Sequence, residues 1–193
     1  MTSELPKTEK RRTILGVFVP LLIILLVAWG ALSLLKANIA PREGTPLQLK
    51  VGATIPDLTL RRVDGSTFKI SESQARIVLI NFWATWCEAC MEEMPSLVKL
   101  HAKYRDKGVE IYGVNLDEDT AKAIASTTKE FGIQFISFLD HEGKLSDAFD
   151  VHAIPLTITL NRSRKILEIK AGDRDWVESE YLKKLDSFLA ENP

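Results

Sequence analysis

Cysteine and histidine are scarce in this sequence, whose 193 residues include two cysteines and three histidines. A tetrahedral zinc or iron–sulfur site takes four ligands, so a structural metal centre within one chain is disfavoured. An excess of basic charge is also absent, since 25 Lys and Arg stand against 26 Asp and Glu. The sequence therefore predicts no metal site and no nucleic-acid partner.

The two cysteines are three residues apart, at Cys87 and Cys90. Random placement would produce this separation in roughly one chain in a hundred. A pair at this spacing closes a small disulfide, supplies half of a metal site, or performs thiol–disulfide exchange. A disulfide that closes so short a loop removes little chain entropy, so stability alone is a poor reason for it. Redox exchange is therefore the leading hypothesis.

An uncharged apolar stretch runs from Ile14 to Leu35. Its length, about 22 residues or about 33 Å of helix, is enough to cross a hydrocarbon layer of ~30 Å. Four basic residues precede it and two follow it closely, so the positive-inside rule places the N-terminus in the cytoplasm. The sequence predicts a cytoplasmic segment at 1–13, one transmembrane helix at 14–35 and a linker at 36–49. A cleaved signal peptide is the alternative, but its apolar region would be shorter and no clean Ala-x-Ala site follows.

Residues 50–193 are then expected outside the cytoplasm, anchored to the cell membrane, in the periplasm or on the outer face of a bacterium. They are enough for one domain with its own core, and they contain no internal repeat. That compartment permits disulfides. A chain that keeps a single possible pair there is using it for something other than bracing.

Strand and helix patterns alternate through residues 50–193. A hairpin is predicted over 58–70, where Asp64-Gly65 suits a two-residue turn. The run from Ile77 to Trp83 is apolar on both faces and predicts a central strand. Further strands are predicted at 109–115, 136–139, 156–160 and 165–171, and helices at 90–107, 117–131, 144–149 and 176–190. This order favours an α/β fold whose sheet has a parallel part and carries helices on both faces.

The helix after the cysteines carries two adjacent glutamates on different faces. On a helical wheel Glu93 falls on the apolar arc with Cys90, whereas Glu92 lies on the polar side. A carboxylate on the apolar arc would be partly desolvated, which raises its pKa and suits it to move protons to or from Cys90. The alternative is a glutamate that reaches solvent at the edge of that arc.

Several motifs together carry a family resemblance: residues 81–87 (NFWATWC) with Cys90, Glu93 and Pro95, then residues 113–115 (GVN), and finally Ile154-Pro155. From about residue 51 to 189 the chain resembles the membrane-anchored thioredoxin-like thiol–disulfide oxidoreductases of the TlpA/ResA type. The resemblance implies a thioredoxin fold, a three-layer α/β/α arrangement with a mixed central sheet, plus an N-terminal β-hairpin and an inserted helix. It also implies a cis Ile154–Pro155 bond that faces the cysteines.

The chain departs from the family at two positions. Ala89 stands where the family often has proline before the second cysteine, which bears on the redox potential. Leu156 follows the proposed cis-proline where the family often has threonine, which bears on the groove for a client backbone.

Each site residue has an expected role. Cys87 begins a helix, whose dipole favours thiolate, so we expect it to attack the client disulfide while Cys90 resolves the mixed disulfide. Glu88 lies between the sulfurs and would raise the thiol pKa values, which favours a reductant; a solvated glutamate attracted only by the dipole is the alternative.

The expected client contacts lie on both sides of the cysteines. With a cis bond at Pro155, the Ile154 backbone would pair with an extended client. Trp83 is expected in the core, whereas Trp86 would shield the sulfurs or contact the client. No cofactor is predicted besides the redox-active disulfide.

Three functions compete. The first is an extracytoplasmic disulfide reductase that a membrane electron donor re-reduces; the family suggests apocytochromes c as clients, because their Cys-x-x-Cys-His sites must be reduced before haem attachment. The second is a thioredoxin-like copper-delivery protein that uses Cys87, Cys90 and a histidine such as His152 as ligands. The third is a peroxidase of the peroxiredoxin type, whose Pro-x-x-x-Thr-x-x-Cys pattern is missing because Ile80 and Ala84 occupy the relevant positions.

Overall fold

The computed structural model describes residue 47 and residues 49–118, 120–140 and 142–193. The predicted cytoplasmic segment (1–13), the predicted transmembrane helix (14–35), almost all of the predicted linker (36–49) and His141 lie outside these residues. Within them, no helix combines the length and the apolar character that a membrane span needs.

Seven strands form one mixed sheet in the order β2-β1-β5-β4-β3-β6-β7. The β3–β4 and β4–β5 pairs are parallel and the other pairs are antiparallel. The strands are β1 (Thr59–Arg62), β2 (Thr67–Lys69), β3 (Ile77–Trp83), β4 (Val109–Asn115), β5 (Ile136–Leu139), β6 (Leu156–Asn161) and β7 (Ile166–Ala171). In the described part of the chain the helices are α1 (Glu88–Tyr104), α2 (Thr120–Phe131), α3 (Lys144–Ala148) and α4 (Ser179–Glu191), with short 3₁₀ turns at Ile70–Glu72 and Arg105–Lys107.

Strand β3 lies at the centre of the domain, and every one of its residues is buried. Leu79 and Trp83 pack into the core on one face of the sheet, whereas Ile80 and Phe82 pack into the core on the other. This alternation follows from the two-residue period of a strand. By the same period Asn81 points to the face of Leu79 and Trp83. The predicted central strand, apolar on both sides, is confirmed.

Helices cover both faces of the sheet, as the sequence predicts. The core on the Leu79 side includes buried residues of α1, α2 and α4, among them Met94, Ile124 and Leu185. The opposite core includes Leu145 of α3 together with residues of the N-terminal hairpin. The result is the α/β/α layering of a thioredoxin-like fold.

The N-terminal hairpin forms, but its predicted two-residue turn is wrong. The Arg62 N–H donates to the Ser66 carbonyl at 2.8 Å, which leaves three residues in the turn. The Gly65 N–H donates back to the Arg62 carbonyl, and Gly65 has a φ of 85°. A three-residue hairpin loop is a tight turn followed by one left-handed residue, and glycine takes that conformation without steric cost.

Two predicted helices begin later than their sequence patterns suggest. Asp117 was expected in the acidic first turn of a helix, but α2 is Thr120–Phe131 and has no acid in its first turn. Trp176 was expected to start the last helix, but α4 is Ser179–Glu191. Both side chains form tertiary hydrogen bonds near the cysteines, and these bonds hold the backbone outside the helix.

Gly113 of β4 lies close to two buried aromatic side chains, so its replacement tests the packing. A Cβ at this position would lie 3.0 Å from a ring carbon of Phe135 and 3.1 Å from Trp83 Nε1. Both side chains are buried, so neither yields easily. We expect Gly113→Ala to lower the free energy of unfolding by about 1–3 kcal/mol, measured by urea denaturation.

A smaller side chain at position 135 provides the control for this prediction. Adding Phe135→Leu removes the ring that the new methyl group meets, so the double variant should lose less stability than the sum of the single variants. Additive losses would show that the Phe135 ring is not the obstacle.

Candidate active site

The two cysteines lie at the N-terminal end of α1 and differ in accessibility. Cys87 is the N-cap residue, and its Sγ accepts a hydrogen bond from the Cys90 N–H at 3.1 Å. The pair forms a disulfide with a Cα–Cα distance of 5.2 Å. Cys87 is 7% exposed and Cys90 is 0% exposed. Cys87 is therefore the more accessible of the two cysteines, and it lies at the helix end whose dipole favours a thiolate.

The loop before Cys87 is held by a buried aspartate. The Asp117 carboxylate accepts hydrogen bonds from the Thr85 N–H at 3.1 Å and from the Thr85 hydroxyl at 2.8 Å. Asn115 Nδ2 donates to the same carboxylate at 2.7 Å. These bonds tie the cysteine loop to the end of β4. The sequence analysis missed this role; an Asn-x-Asp pattern directly after a buried strand was the available signal.

Glu93 lies one turn after the cysteines and is buried, with 3% of its surface exposed, whereas Glu92 is exposed. Burial raises the pKa of Glu93, although hydrogen bonds from Trp176 and Asn81 act in the opposite direction. Desolvation is the largest of these effects, so the predicted burial and direction of the pKa shift are confirmed.

Both oxygens of Glu93 accept a hydrogen bond from a fully buried donor. Asn81 Nδ2 donates to Oε1 at 2.9 Å, and Trp176 Nε1 donates to Oε2 at 2.9 Å. Asn81 reaches the carboxylate because it faces the α1 side of the sheet. The sequence analysis missed both donors, since neither residue is near Glu93 in the chain.

Trp176 lies in the loop between β7 and α4, which is fastened to α1 by Ser96. The Trp176 N–H donates to Ser96 Oγ at 3.1 Å, and Ser96 Oγ is 2.8 Å from the Glu93 carbonyl. The Arg174 guanidinium lies over the Trp176 ring and forms an ion pair with Glu168 at 2.9 Å. These contacts fix the indole against Glu93.

The Ile154–Pro155 peptide bond is cis, as the family resemblance implies. It immediately precedes β6, whose first residue, Leu156, is opposite Phe82 in β3. The bond therefore lies beside the end of β3 from which the cysteine loop departs. Ile154 is half-buried and packs against the core cluster that contains Cys87 and Cys90.

The aromatic and acidic residues around the disulfide divide into buried and exposed groups. Trp83 is fully buried, as expected, whereas Trp86 is 70% exposed next to Cys87. Glu88 is exposed and Ala89 is half-buried. The exposed indole beside Cys87 is an apolar surface that another chain can contact.

The two histidines that the structure describes, His101 and His152, form their polar contacts with acids rather than with the cysteines. His152 is exposed, with its Nε2 3.1 Å from Asp150 Oδ1, and His101 is buried with its Nε2 2.7 Å from Glu110 Oε1. Among the residues that the structure describes, no three His, Cys, Asp or Glu side chains are grouped closely enough to hold a metal ion. The copper-delivery alternative needs a third ligand, and these contacts do not supply one.

Known proteins resemble this chain in sequence and in fold. Residues 50–185 match the family model described as Redoxin. The thiol-disulfide oxidoreductase ResA of Bacillus thuringiensis strain Al Hakam is 30% identical over 166 residues, covering 84% of this chain and 93% of the relative. The ResA of Bacillus subtilis strain 168 is 30% identical over 164 residues, covering 85% and 87%.

A solved structure of another protein has a similar fold. The crystal structure of a Chlorobium tepidum protein assigned as the thiol:disulfide interchange protein DsbE superposes with a TM-score of 0.66 at 27% identity, covering 74% of this chain and 99% of that one. The disulfide in Cys-x-x-Cys spacing at the start of α1 is the feature that such an activity requires. The chain therefore belongs to the Redoxin family and, within it, to the ResA-like thiol–disulfide oxidoreductases.

Proposed function

We propose that the protein reduces disulfides of extracytoplasmic client proteins through the Cys87–Cys90 dithiol. The observation that carries this proposal is the arrangement of the pair, with a reachable Cys87 at a helix N-terminus and a buried Cys90 beside a buried carboxyl group. A partly accessible nucleophile, a fully buried resolving thiol and a base within the core are the parts that two-step exchange needs.

In the first step the Cys87 thiolate attacks one sulfur of the client disulfide. The client S–S bond breaks, a bond forms between Cys87 and the client, and the second client sulfur leaves as a thiolate that takes a proton from solvent. The helix N-terminus at Cys87 supports this step because it stabilises the attacking anion.

In the second step Cys90 resolves the mixed disulfide. Its thiol passes a proton to the Glu93 carboxylate, and the resulting thiolate attacks Cys87. The Cys87–Cys90 bond forms as the bond between Cys87 and the client breaks. The departing client thiolate takes a proton from solvent, so the client leaves as a dithiol that carries both electrons. Cys90 and Glu93 are three residues apart on α1, which makes their side chains neighbours on the helix. The raised pKa of Glu93 matches a base that must take a proton from a thiol near neutral pH.

The client backbone is proposed to lie between Trp86 and the cis Ile154–Pro155 segment. Trp86 supplies exposed apolar surface, and the Ile154 backbone supplies hydrogen-bonding groups for an extended chain. Leu156, 8% exposed at the start of β6, packs into the core on the Phe82 face of the sheet.

The reductive direction is proposed from the acids around the pair. Glu88 is exposed directly after Cys87, where its negative charge opposes a thiolate and so favours the disulfide form after exchange. A pair that readily becomes a disulfide gives up its electrons readily and is therefore a reductant.

The cellular setting is proposed from the N-terminal sequence. The apolar stretch at 14–35, with basic residues before it, supports a membrane anchor with residues 50–193 outside the cytoplasm. A membrane electron donor would then re-reduce the pair, and apocytochromes c are the proposed clients. The disulfide is proposed to be the redox carrier, without a further cofactor or metal.

The reduction potential of the pair tests the proposed direction. We expect a value well below that of a disulfide-forming catalyst, about −120 mV, measured on the full-length protein by equilibration with glutathione or dithiothreitol buffers. Glu88→Gln should make the potential more oxidising by removing the charge that opposes the thiolate. A wild-type value near −120 mV would contradict the reductive role.

Trapping of the mixed disulfide tests the order of attack. Cys90→Ala leaves Cys87 able to form the first bond but removes the thiol that breaks it, so covalent complexes with clients should accumulate on non-reducing gels. Cys87→Ala should accumulate none, because Cys90 is fully buried. Equal trapping by both variants would overturn the assignment of Cys87 as nucleophile; sequencing the trapped clients tests the apocytochrome assignment.

Replacement of Glu93 tests the proton-transfer step. In the wild type, the rate at which Cys90 resolves a mixed disulfide should rise as pH increases through the raised pKa of Glu93, because the carboxylate is the active form. Glu93→Gln should remove this rise and slow the step by about a hundredfold above that pKa. Stopped-flow measurement with a Cys-x-x-Cys peptide disulfide checks both points.

The adjacent acid provides the matched control. Glu92 is exposed on the same helical turn, so Glu92→Gln should keep the wild-type rate and pH profile. A Glu93→Gln profile indistinguishable from that of Glu92→Gln would remove Glu93 from the mechanism.

A further inference from the structure

The two hydrogen bonds to Glu93 differ in what their donors can do when the carboxylate takes a proton. The Trp176 indole N–H, which binds Oε2, is a donor only. The Asn81 side chain, which binds Oε1, carries both a donor and an acceptor. One partner is therefore suited to the charged form alone, whereas the other is suited to either form.

Asn81 uses half of its hydrogen-bonding capacity in the present arrangement. Its Nδ2 donates to Glu93 Oε1 and to Thr157 Oγ1, each at 2.9 Å. Its Oδ1 is buried and has no hydrogen-bond partner among the described residues. A buried unpaired carbonyl oxygen is costly, and it is rare enough in folded proteins to need a reason.

Protonation of Glu93 changes which of these hydrogen bonds can form. The carbonyl oxygen of a carboxylic acid is a better acceptor than its hydroxyl oxygen, so the bond from Trp176 favours Oε2 as the carbonyl. The proton then sits on Oε1, where the hydroxyl group would face the Asn81 NH₂ group, donor against donor. Rotating the Asn81 amide by a half turn removes this conflict, because Oδ1 takes the place of Nδ2 and the two groups are nearly equal in size.

Thr157 can follow the same rotation. Its hydroxyl accepts from Asn81 Nδ2 in the present arrangement, and a hydroxyl also donates. After rotation it would donate to Oδ1, which would then receive bonds from both Thr157 and Glu93. The contacts to Glu93 and Thr157 are kept with donor and acceptor exchanged, and the unpaired position passes from Oδ1 to the NH₂ group.

We propose that Asn81 is a positioning residue whose amide inverts with the protonation of Glu93, and that Trp176 directs the proton to Oε1. The inference rests on the proposed role of Glu93 as the group that takes the Cys90 proton. While Glu93 holds that proton, the inverted amide accepts from it; when the proton leaves to solvent, the amide returns and donates to the carboxylate. Both the charged form and the neutral form of Glu93 therefore have hydrogen-bond partners inside the core.

Few other charges face Glu93. Asp173, in the loop that carries Trp176, adds to the rise in its pKa, and the Arg174 backbone opposes that rise. The Arg174 guanidinium is held by Glu168. Asn81 and Thr157, from the sheet, are uncharged. On α1 itself, Cys90 does not titrate while the disulfide is closed.

The inversion is tested in the oxidised full-length protein by NMR, in detergent micelles because of the apolar N-terminal stretch. The Glu93 side-chain carboxyl carbon reports its titration, and the Asn81 side-chain NH₂ resonances report the amide. We expect those protons to move upfield as Glu93 gains its proton, because they lose both acceptors, while the Trp176 indole proton stays hydrogen-bonded throughout. Asn81 NH₂ resonances that remain in place through the Glu93 titration would overturn the proposal.

Two variants give an independent reading of the same inference. Trp176→Phe removes a donor that serves only the carboxylate, so it should raise the pKa of Glu93 by about one, a tenfold change in proton affinity. Asn81→Leu, of similar shape, removes a donor from the charged form and an acceptor from the neutral form, so it should change the pKa much less. If the amide were fixed, the two variants would raise the pKa of Glu93 equally. That result would contradict the proposed inversion.

These measurements separate the inference from the proposed function. They use the closed disulfide, so they need no exchange reaction. Unaltered exchange kinetics in Glu93→Gln would remove the catalytic role of Glu93, whereas an immobile Asn81 amide would remove the inversion and leave that role standing.

Discussion

A carboxyl group inside an apolar core is the constraint around which this domain is built. Glu93 is 3% exposed, and burial of its charge is unfavourable unless both oxygens are hydrogen-bonded. One donor comes from the central strand and the other from the loop before the last helix. The charged form of Glu93 therefore depends on elements that are distant in the chain being correctly packed.

The loop of residues 172–177 is ordered by this requirement and by contacts at both of its ends. Gly172 donates its N–H to the Pro155 carbonyl at 2.9 Å, which joins the loop to the cis-proline segment. Ser96 binds its other end to α1, and the Arg174–Glu168 ion pair holds the guanidinium over the Trp176 ring. The segment proposed to contact a client and the residue that binds Glu93 are thus parts of one connected unit.

Two acids near the cysteines have opposite surroundings, and this difference divides their proposed roles. Glu88 is exposed in the first turn of α1, where solvent weakens its field and leaves it a modest influence on the nearest sulfur. Glu93 is desolvated, so its proton affinity is raised and its carboxyl group suits proton transfer. In the proposed mechanism, tuning of the thiolate is thereby separated from movement of the proton.

The features of this protein that could be predicted from the sequence alone are those set by residues close together in the chain. The spacing of Cys87 and Cys90, the two-sided apolar run of β3 and the position of Glu93 on the apolar arc are all set by residues within a few turns of one another, and periodicity reads such patterns directly. The three-residue hairpin turn and the late start of α2 were misjudged because hydrogen bonds, rather than composition, choose between neighbouring boundaries. Asn81, Asp117 and Trp176 acquire their roles only in the tertiary structure. Each binds a group on another element, and the pairing of a buried polar side chain depends on which strands and loops packing brings together.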